Sequence, residues 1–492
     1  MTVSLETATE WVRSIAARGL LVGAERIPSA SGGTYAHHNP ATGSLQAEVP
    51  LAGADEVNAA VDAARAALPT WRAMPIPDRI AVLLRLADLL ERDREAAAAI
   101  NALDNGTPVS VLDSGAYAAS WTRYYAGWID KIEGHVAPIY APNHFDYVLP
   151  EPYGVVATIV PWNGPMMGMG HKVAPALAAG NVVVCKPPEI APFGALRYAE
   201  LALEAGLPAG VLNVIPGGAV TGDALVRHRG VDKISFTGGV ATAKRVMAAA
   251  ADALTPLTFE LGGKSANIVF PDADLDLACA VASVLGAVAL SGQGCALPTR
   301  LFVHDDVYAE VVARVVATVE GVTIGDPLDP STLMGPVVTE TACARVLGVI
   351  ERAKSDGAGT LLTGGHRLRG PLADGYYIAP TVFGDVDDTS DLAVNEVFGP
   401  VLSIMRFRDE DDVVERANRS DYGLAAYVYT RDASRAHRMA RRLEVGAVTL
   451  NAYPFLSPTA PFGGHKQSGF GSEGGRAGIE EFLQRKNVLS GL

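Results

Sequence analysis

The strongest chemical signal in the chain is one short stretch, Ser291-Gly292-Gln293-Gly294-Cys295-Ala296-Leu297-Pro298-Thr299-Arg300. Glycine on either side of Gln293 lets another backbone or a small molecule approach closely. A buried cysteine is most often an inert apolar side chain. A nucleophilic thiol has different needs. Its sulfur must meet a carbonyl carbon while its own backbone N–H faces the oxyanion that develops. The surroundings of Cys295 decide between the two.

Other loops hold candidate partners. Glu260, in Glu260-Leu261-Gly262-Gly263-Lys264, is either a turn residue or a general base whose pKa is tuned by burial. Asn163, in Pro161-Trp162-Asn163, caps a helix or offers its side-chain NH2 to an oxyanion. Lys186-Pro187-Pro188-Glu189 is a solvated turn or a pair aimed at ribose hydroxyls. Phe236-Thr237-Gly238-Gly239 is a tight turn or the start of a helix whose amides face a pyrophosphate.

The elements that must position these loops follow a regular alternation. Residues 155–160, 182–185, 212–215 and 233–236 are short β-rich runs, each ending in Pro, Lys-Pro or Gly-rich sequence. Residues 194–205 are helical, and a further helix begins near Thr242. Apolar strands alternating with helices predict a parallel, doubly wound sheet, with ligand-binding loops at the strand ends. Upstream, residues 25–53 read as extended and turn-rich, and Ile80, Leu83, Leu84, Ala87 and Leu90 form one apolar helical stripe. Residues 135–140 have strand character interrupted by Pro138, as on an edge strand. A second α/β region starts at 258, and residues 484–490 read as a final strand.

Composition narrows the class. The 492 residues are 49% hydrophobic and 19% charged, as in a soluble globular protein of two or three domains. A net charge of −14 argues against nucleic acid or an anionic membrane as partner. Four widely spaced cysteines without a CxxC pair point to a reducing compartment. The histidines form no metal-ligand motif, and His37-His38 reads as a solvated pair, so no metal is expected. Two uncharged runs, 153–170 and 277–299, are long, but both contain Gly and Pro, which favours buried elements near a site over membrane spans.

Taken together and in order, PWN (161–163), KPPE (186–189), FTGG (236–239), ELGGKS (260–265), GQGC (292–295), EVFGP (396–400) and PFGGHKQSGFG (461–471) resemble the successive signatures of the NAD(P)-dependent aldehyde dehydrogenase superfamily. The resemblance runs from NPATG (39–43) to the final strand. It implies a Rossmann-like, doubly wound NAD-binding domain over 1–133 and 153–257 and an α/β catalytic domain over 258–465. It also implies a small β oligomerisation arm over 134–152, with a C-terminal segment over 466–492. Cys295 would be the nucleophile, Glu260 the base that activates water, and Asn163 with the Cys295 amide the oxyanion hole. Lys172 matches a lysine of the proton path. Lys186 and Glu189 would hold the adenosine ribose and Glu396 the nicotinamide ribose, with Phe398 near the nicotinamide. Val160, Pro161, Trp162, Gly217, Phe236, Thr237, Gly238, Gly239, Leu261 and Gly262 would complete the cofactor cleft.

The implied reaction is oxidation of a small-molecule aldehyde to the acid by a cytoplasmic homo-oligomer, dimer or tetramer. Glu189 favours NAD, with NADP as the alternative. Gly164, Gly168, His171, Gly294 and Leu456 are small or non-aromatic for their places, which predicts a roomy tunnel for bulky aromatic, branched or terpenoid aldehydes. Refilling by Met166, Met167, Met169, Tyr453 or Phe455 would remove that room. The competing readings are a CoA-acylating semialdehyde dehydrogenase, whose members usually lack the acid at Glu260, and a non-catalytic binding protein on the same fold.

Overall fold

The computed structural model describes residues 3–491. Its first sheet has eight strands. In spatial order they are Glu25–Ile27, Leu20–Val22, Leu212–Val214, Val182–Lys186, Val155–Ile159, Lys233–Thr237, Leu257–Glu260 and Gly469–Phe470. The strands from Leu212–Val214 to Leu257–Glu260 are parallel, and the outer ones pair antiparallel. Val155–Ile159 and Val182–Lys186 are buried at every position, which is why their sequences are apolar apart from Thr158 and the terminal Lys186 rather than alternating. The strand order reverses between Val155–Ile159 and Lys233–Thr237. A crevice opens there at the carboxyl ends, the place where such sheets bind ligands. This is the doubly wound, Rossmann-like fold.

The second sheet has seven strands in the order Thr360–Thr363, Thr381–Gly384, Val401–Phe407, Arg300–His304, Ala266–Val269, Ala425–Tyr429 and Ala447–Leu450. All pairs are parallel except the edge pair of Thr360–Thr363 with Thr381–Gly384. Each face of this sheet carries its own core. The chain passes from the first sheet to the second through Leu261–Ser265, so Glu260 ends one sheet and Ala266 begins the other. A third, three-stranded sheet joins His135–Val136, His144–Pro152 and Leu483–Gly491. It leaves Val136, Phe145, Leu149 and Leu489 exposed.

Several details differ from the sequence reading. The strand expected at 135–140 is confined to His135–Val136, and its longer neighbour His144–Pro152 carries most of the pairing with the C-terminal strand. The helix Ile76–Arg92 buries Val82, Leu83, Leu86, Ala87 and Leu90, while Leu84 is exposed. It packs on the helices Ser114–Ala126 and Phe193–Glu204, and this places the stripe slightly around from where periodicity alone puts it. His37 is not solvated. It lies 3.4 Å from buried Asp104 and against the Phe193 ring, while His38, on the other face of the strand, is exposed.

The uncharged run around 277–299 contains Leu275–Gly292, which has the length and composition to cross a membrane. Here its helix gives way to a π turn at Val284–Val288. Leu290 and Ser291 then adopt positive φ, and most of the segment is buried against the second sheet.

One buried side chain ties three elements together. Asn181 accepts from Gly154 N–H at 2.9 Å and donates to the Phe482 carbonyl at 2.9 Å and the Ala176 carbonyl at 3.1 Å. Asn181→Ala strands buried backbone groups, and we expect a loss of about 2–4 kcal/mol, read as a lowered urea midpoint. An unchanged midpoint would refute this role.

Candidate active site

A cleft of about 700 Å³ runs along the reversal in the first sheet and reaches the Cys295 loop of the second. Val160, Pro161, Trp162, Asn163, Lys186, Glu189, Phe236, Thr237, Gly238, Gly239, Leu261, Gly262, Cys295, Glu396 and Phe398 all line it. Gly217 does not. Its carbonyl accepts from the Lys186 ammonium from behind, and Gly218 takes the lining position. Lys172 and Glu260 are also outside the cleft lining, buried behind it.

The loop that carries the thiol is strained and tightly held. Leu290 and Ser291 have φ of 52° and 53°, and Gly292 follows at 72°. A side chain at Gly292 would meet the Gly399 carbonyl oxygen, 1.9 Å from an added Cβ, so only glycine fits. Gln293 pins the turn from both ends of its amide. Its Nε2 donates to the Leu290 carbonyl at 3.1 Å, and its Oε1 accepts from Val338 N–H at 3.0 Å. Ser291 Oγ donates to the Gly335 carbonyl at 2.8 Å. Asn163 reaches the same loop, its Nδ2 donating to the Gln293 carbonyl at 2.8 Å. That contact fixes the amide beside the thiol while leaving a second N–H on the same nitrogen.

Cys295 is half-buried, whereas Cys185, Cys279 and Cys343 are buried. Burial pushes its thiol up to about 12, and Glu396, Glu260 and Glu473 add to the effect. Glu260 is buried, its Oε1 has no hydrogen-bond partner, and its pKa lies well above the usual carboxylate value. Burial is the main cause, Glu473 adds to it, and Lys172 opposes it. A base that stays protonated until well above the ordinary range can take a proton from water near neutrality.

Glu473 is a buried residue of this site that the sequence reading missed. It sits in Gly471-Ser472-Glu473-Gly474, whose composition reads as a turn. In the structure it is buried between Lys172, at 2.7 Å, and His171, at 2.9 Å. Burial alone would raise its pKa, but Lys172 and His171 outweigh that and bring it to about 2. No local signal marks this, because the partners lie some three hundred positions away in the chain. Arg345 was also missed. It donates to the Val397 and Phe398 carbonyls and so braces the loop carrying Glu396.

The other end of the cleft suits a polyhydroxylated, anionic ligand. The helix Val240–Ala250 begins at Gly239 with no side-chain cap, and nothing stands within 4 Å of an added Cβ there. Free amides with open space before them favour an anion. Glu189 offers a carboxylate beside Gly218. Glu396 is held by Gly263 N–H at 3.0 Å, against Gly262, where an added Cβ would lie 2.3 Å from its Oε2. Burial brings Lys186 down to about 8, with Glu189 opposing. Phe398, at positive φ, packs edge-on to Trp162 at 5.3 Å.

The small residues expected to widen the approach to the thiol are partly refilled. An added Cβ at Gly164 would lie 3.1 Å from Met167 Sδ, at Gly168 2.9 Å from Val160, and at Gly294 2.8 Å from Leu297.

Alkylation of Cys295 by iodoacetamide is expected to be slow at neutral pH and to climb steeply into the alkaline range. Glu396→Gln or Glu260→Gln removes a negative charge that disfavours the thiolate, so each should shift the rate profile to lower pH. An unmoved profile in both variants would refute the electrostatic account.

The chain was compared with known proteins. A model of the aldehyde dehydrogenase family matches residues 27–488. The mitochondrial aldehyde dehydrogenase of Equus caballus is 44% identical over 463 residues, spanning 92% of this chain and 91% of that protein. Among solved structures, the NAD+ complex of aldehyde dehydrogenase from Bacillus cereus superposes with a TM-score of 0.95 at 38% identity, covering 100% of both chains. An E. coli enzyme described as NADP dependent superposes with a TM-score of 0.93 at 38% identity, covering 97% of this chain and 99% of that one. Family match, curated relative and solved folds agree over almost the whole length, and the chain belongs to the aldehyde dehydrogenase family.

Proposed function

We propose that this protein oxidises an aldehyde to the carboxylic acid with NAD, through a covalent thioester on Cys295 that is resolved by water. The observation that carries this reading is the grouping of a partly exposed thiol, an amide donor fixed beside its loop, and a buried carboxylate oxygen with no partner. The uncapped helix at Gly239 and the carboxylates of Glu189 and Glu396 suit the pyrophosphate and the two riboses of a dinucleotide. Glu189 would repel a 2′-phosphate, and a relative of the same fold is known as an NAD+ complex, so NAD is preferred over NADP.

The thiol of Cys295 loses its proton to water, Sγ bonds to the aldehyde carbon as the carbonyl π bond opens, and the oxyanion is held by the free N–H of Asn163 and the Cys295 backbone amide. One such donor contributes roughly 2.7–4 kcal/mol to barrier lowering. The chemistry the dinucleotide supplies when bound is hydride acceptance, by which the thiohemiacetal becomes a thioester on Cys295. Glu260 then takes a proton from water as the water oxygen bonds to the thioester carbon. The C–S bond breaks, and the acid leaves. The acid at Glu260 favours this hydrolytic course over transfer to CoA.

The substrate class we infer is an aldehyde with a bulky aromatic, branched or terpenoid group. Met167, partly exposed beside Gly164, is the adaptable part of the channel wall, since a thioether repacks easily. The exposed apolar residues of the three-stranded sheet suit pairing with a second copy, in a dimer or tetramer.

Cys295→Ala should abolish aldehyde-dependent NADH formation. Glu260→Gln should retain the NADH of a first turnover and lose steady-state turnover by on the order of 10²-fold or more, and full turnover in that variant would sink the role. In the wild type, kcat should fall as pH drops through the raised pKa of Glu260. Lys172→Met removes a cation that lowers that pKa, so its acidic limb should move to higher pH. A limb that stays in place counts against the assignment. Met167→Ala should raise kcat/KM for bulky aromatic aldehydes relative to acetaldehyde, and an unchanged ratio would argue for a different channel wall.

A further inference from the structure

The oxyanion donors of this mechanism sit on two loops, and a helix end that takes no part in the chemistry joins them. The helix Arg94–Asn105 ends at Asn105, with Gly106 following at φ 83°. Asn105 is buried, and its side-chain amide is engaged at both ends. Its Oδ1 accepts from Thr107 N–H at 3.0 Å. Its Nδ2 donates to Asn101 Oδ1 at 3.2 Å and to the Trp162 carbonyl at 3.0 Å. The Thr107 N–H can only donate, so it decides which end of the amide carries the oxygen. The two bonds within the helix end thereby aim the third across to the site. The Trp162 carbonyl belongs to the peptide that leads into Asn163. Holding that planar unit holds the Asn163 Cα, from which the donor amide hangs.

The same helix end meets the thiol loop from the other side. An added Cβ at Gly335 would lie 2.0 Å from the Gly106 carbonyl oxygen, and one at Gly106 would lie 2.8 Å from the Pro336 ring. Residues 335–338 in turn hold the thiol loop. The Gly335 carbonyl accepts from Ser291 Oγ at 2.8 Å, and Val338 N–H donates to Gln293 Oε1 at 3.0 Å. Asn163 Nδ2 closes the circuit on the Gln293 carbonyl at 2.8 Å. Four segments, 105–107, 162–163, 291–293 and 335–338, form one closed ring of contacts around the hole. We propose that Asn105 is a positioning residue of the oxyanion hole, one that keeps the free N–H of Asn163 in register with the Cys295 amide. This rests on the reading of Asn163 as an oxyanion donor. One oxygen meets two donors only if their spacing is fixed before the reaction. The bond from Asn163 to Gln293 alone leaves that amide free to turn with its own backbone. The bond from Asn105 to Trp162 removes this freedom.

Asn105→Ala deletes the bond to Trp162. Asn105→Asp keeps the shape and the acceptor for Thr107 but loses the donor. In both, the rate constant of first-turnover NADH formation should fall by about tenfold or more, within what a small misplacement of a reacting group costs. The dissociation constant for NAD, read by quenching of intrinsic fluorescence, should stay within about twofold. Alkylation of Cys295 by iodoacetamide displaces iodide at a saturated carbon and forms no oxyanion, so its rate should also stay within about twofold. Asn163→Ala should itself slow the first turnover on the order of 10²-fold. In that background the Asn105 substitutions should cost less than about twofold more, because the group they position is gone. A wild-type first-turnover rate in the Asn105 variants, an equal loss in the two backgrounds, or a parallel loss of alkylation would each overturn the positioning role. A first-turnover rate unchanged by Asn163→Ala alone would overturn the reading of Asn163 instead.

Discussion

The site depends on one close backbone crossing. Leu261–Ser265 is the link by which the chain leaves the first sheet and enters the second, and its two glycines are wedged between groups from distant loops. A Cβ at Gly262 would strike the Glu396 carboxylate, and one at Gly263 would lie 2.4 Å from the Cys295 carbonyl oxygen. Ser468 closes the crossing from behind, its backbone carbonyl accepting from Leu261 N–H and its hydroxyl donating to the Gly262 carbonyl. Because the link carries no side chain at Gly262 and Gly263, the acid Glu260 at the end of one sheet, a thiol loop of the other and a carboxylate of a third loop fit into one small volume.

Crowding them has an electrostatic consequence. Burial drives both the thiol of Cys295 and the carboxyl of Glu260 toward their neutral forms, and the nearby carboxylates push further in the same direction. The opposing charge is Lys172, which is itself spent on Glu473. Glu473 is the one acid of this group held ionised, by direct contact with two nitrogen bases. The cluster thus separates its carboxylates by environment. One has an oxygen without a hydrogen-bond partner and is reluctant to ionise, and the other is paired and held in its ionised form. Such a split of like groups by environment leaves two carboxylates of one site in opposite protonation states.

Much of the architecture is legible from local rules. The largely apolar strands at Val155–Ile159 and Val182–Lys186 announce a sheet covered on both faces, and the Pro- and Gly-rich loops after them mark the ligand crevice. Periodicity is less secure where neighbours decide. Leu84 lies on the apolar stripe of its helix and is nonetheless exposed, because the packing helices meet a slightly different face. His37 looks like half of a solvated pair and is buried on Asp104, because strand alternation sends the two histidines to opposite sides. Gly217 shares a loop with the cleft but turns its carbonyl to Lys186 instead.

By itself, the sequence determined the class of sheet, the order of the loops and which of them carry a thiol, an acid and an amide, since these depend on residue type and short-range spacing. The tertiary structure decided what each group feels. The seating of Gly292 against Gly399 and the pairing of Glu473 with Lys172 and His171 are contacts across long chain separations. Burial and pairing set the charge of a carboxylate or a thiol, and both belong to the assembled volume rather than to any segment of the chain.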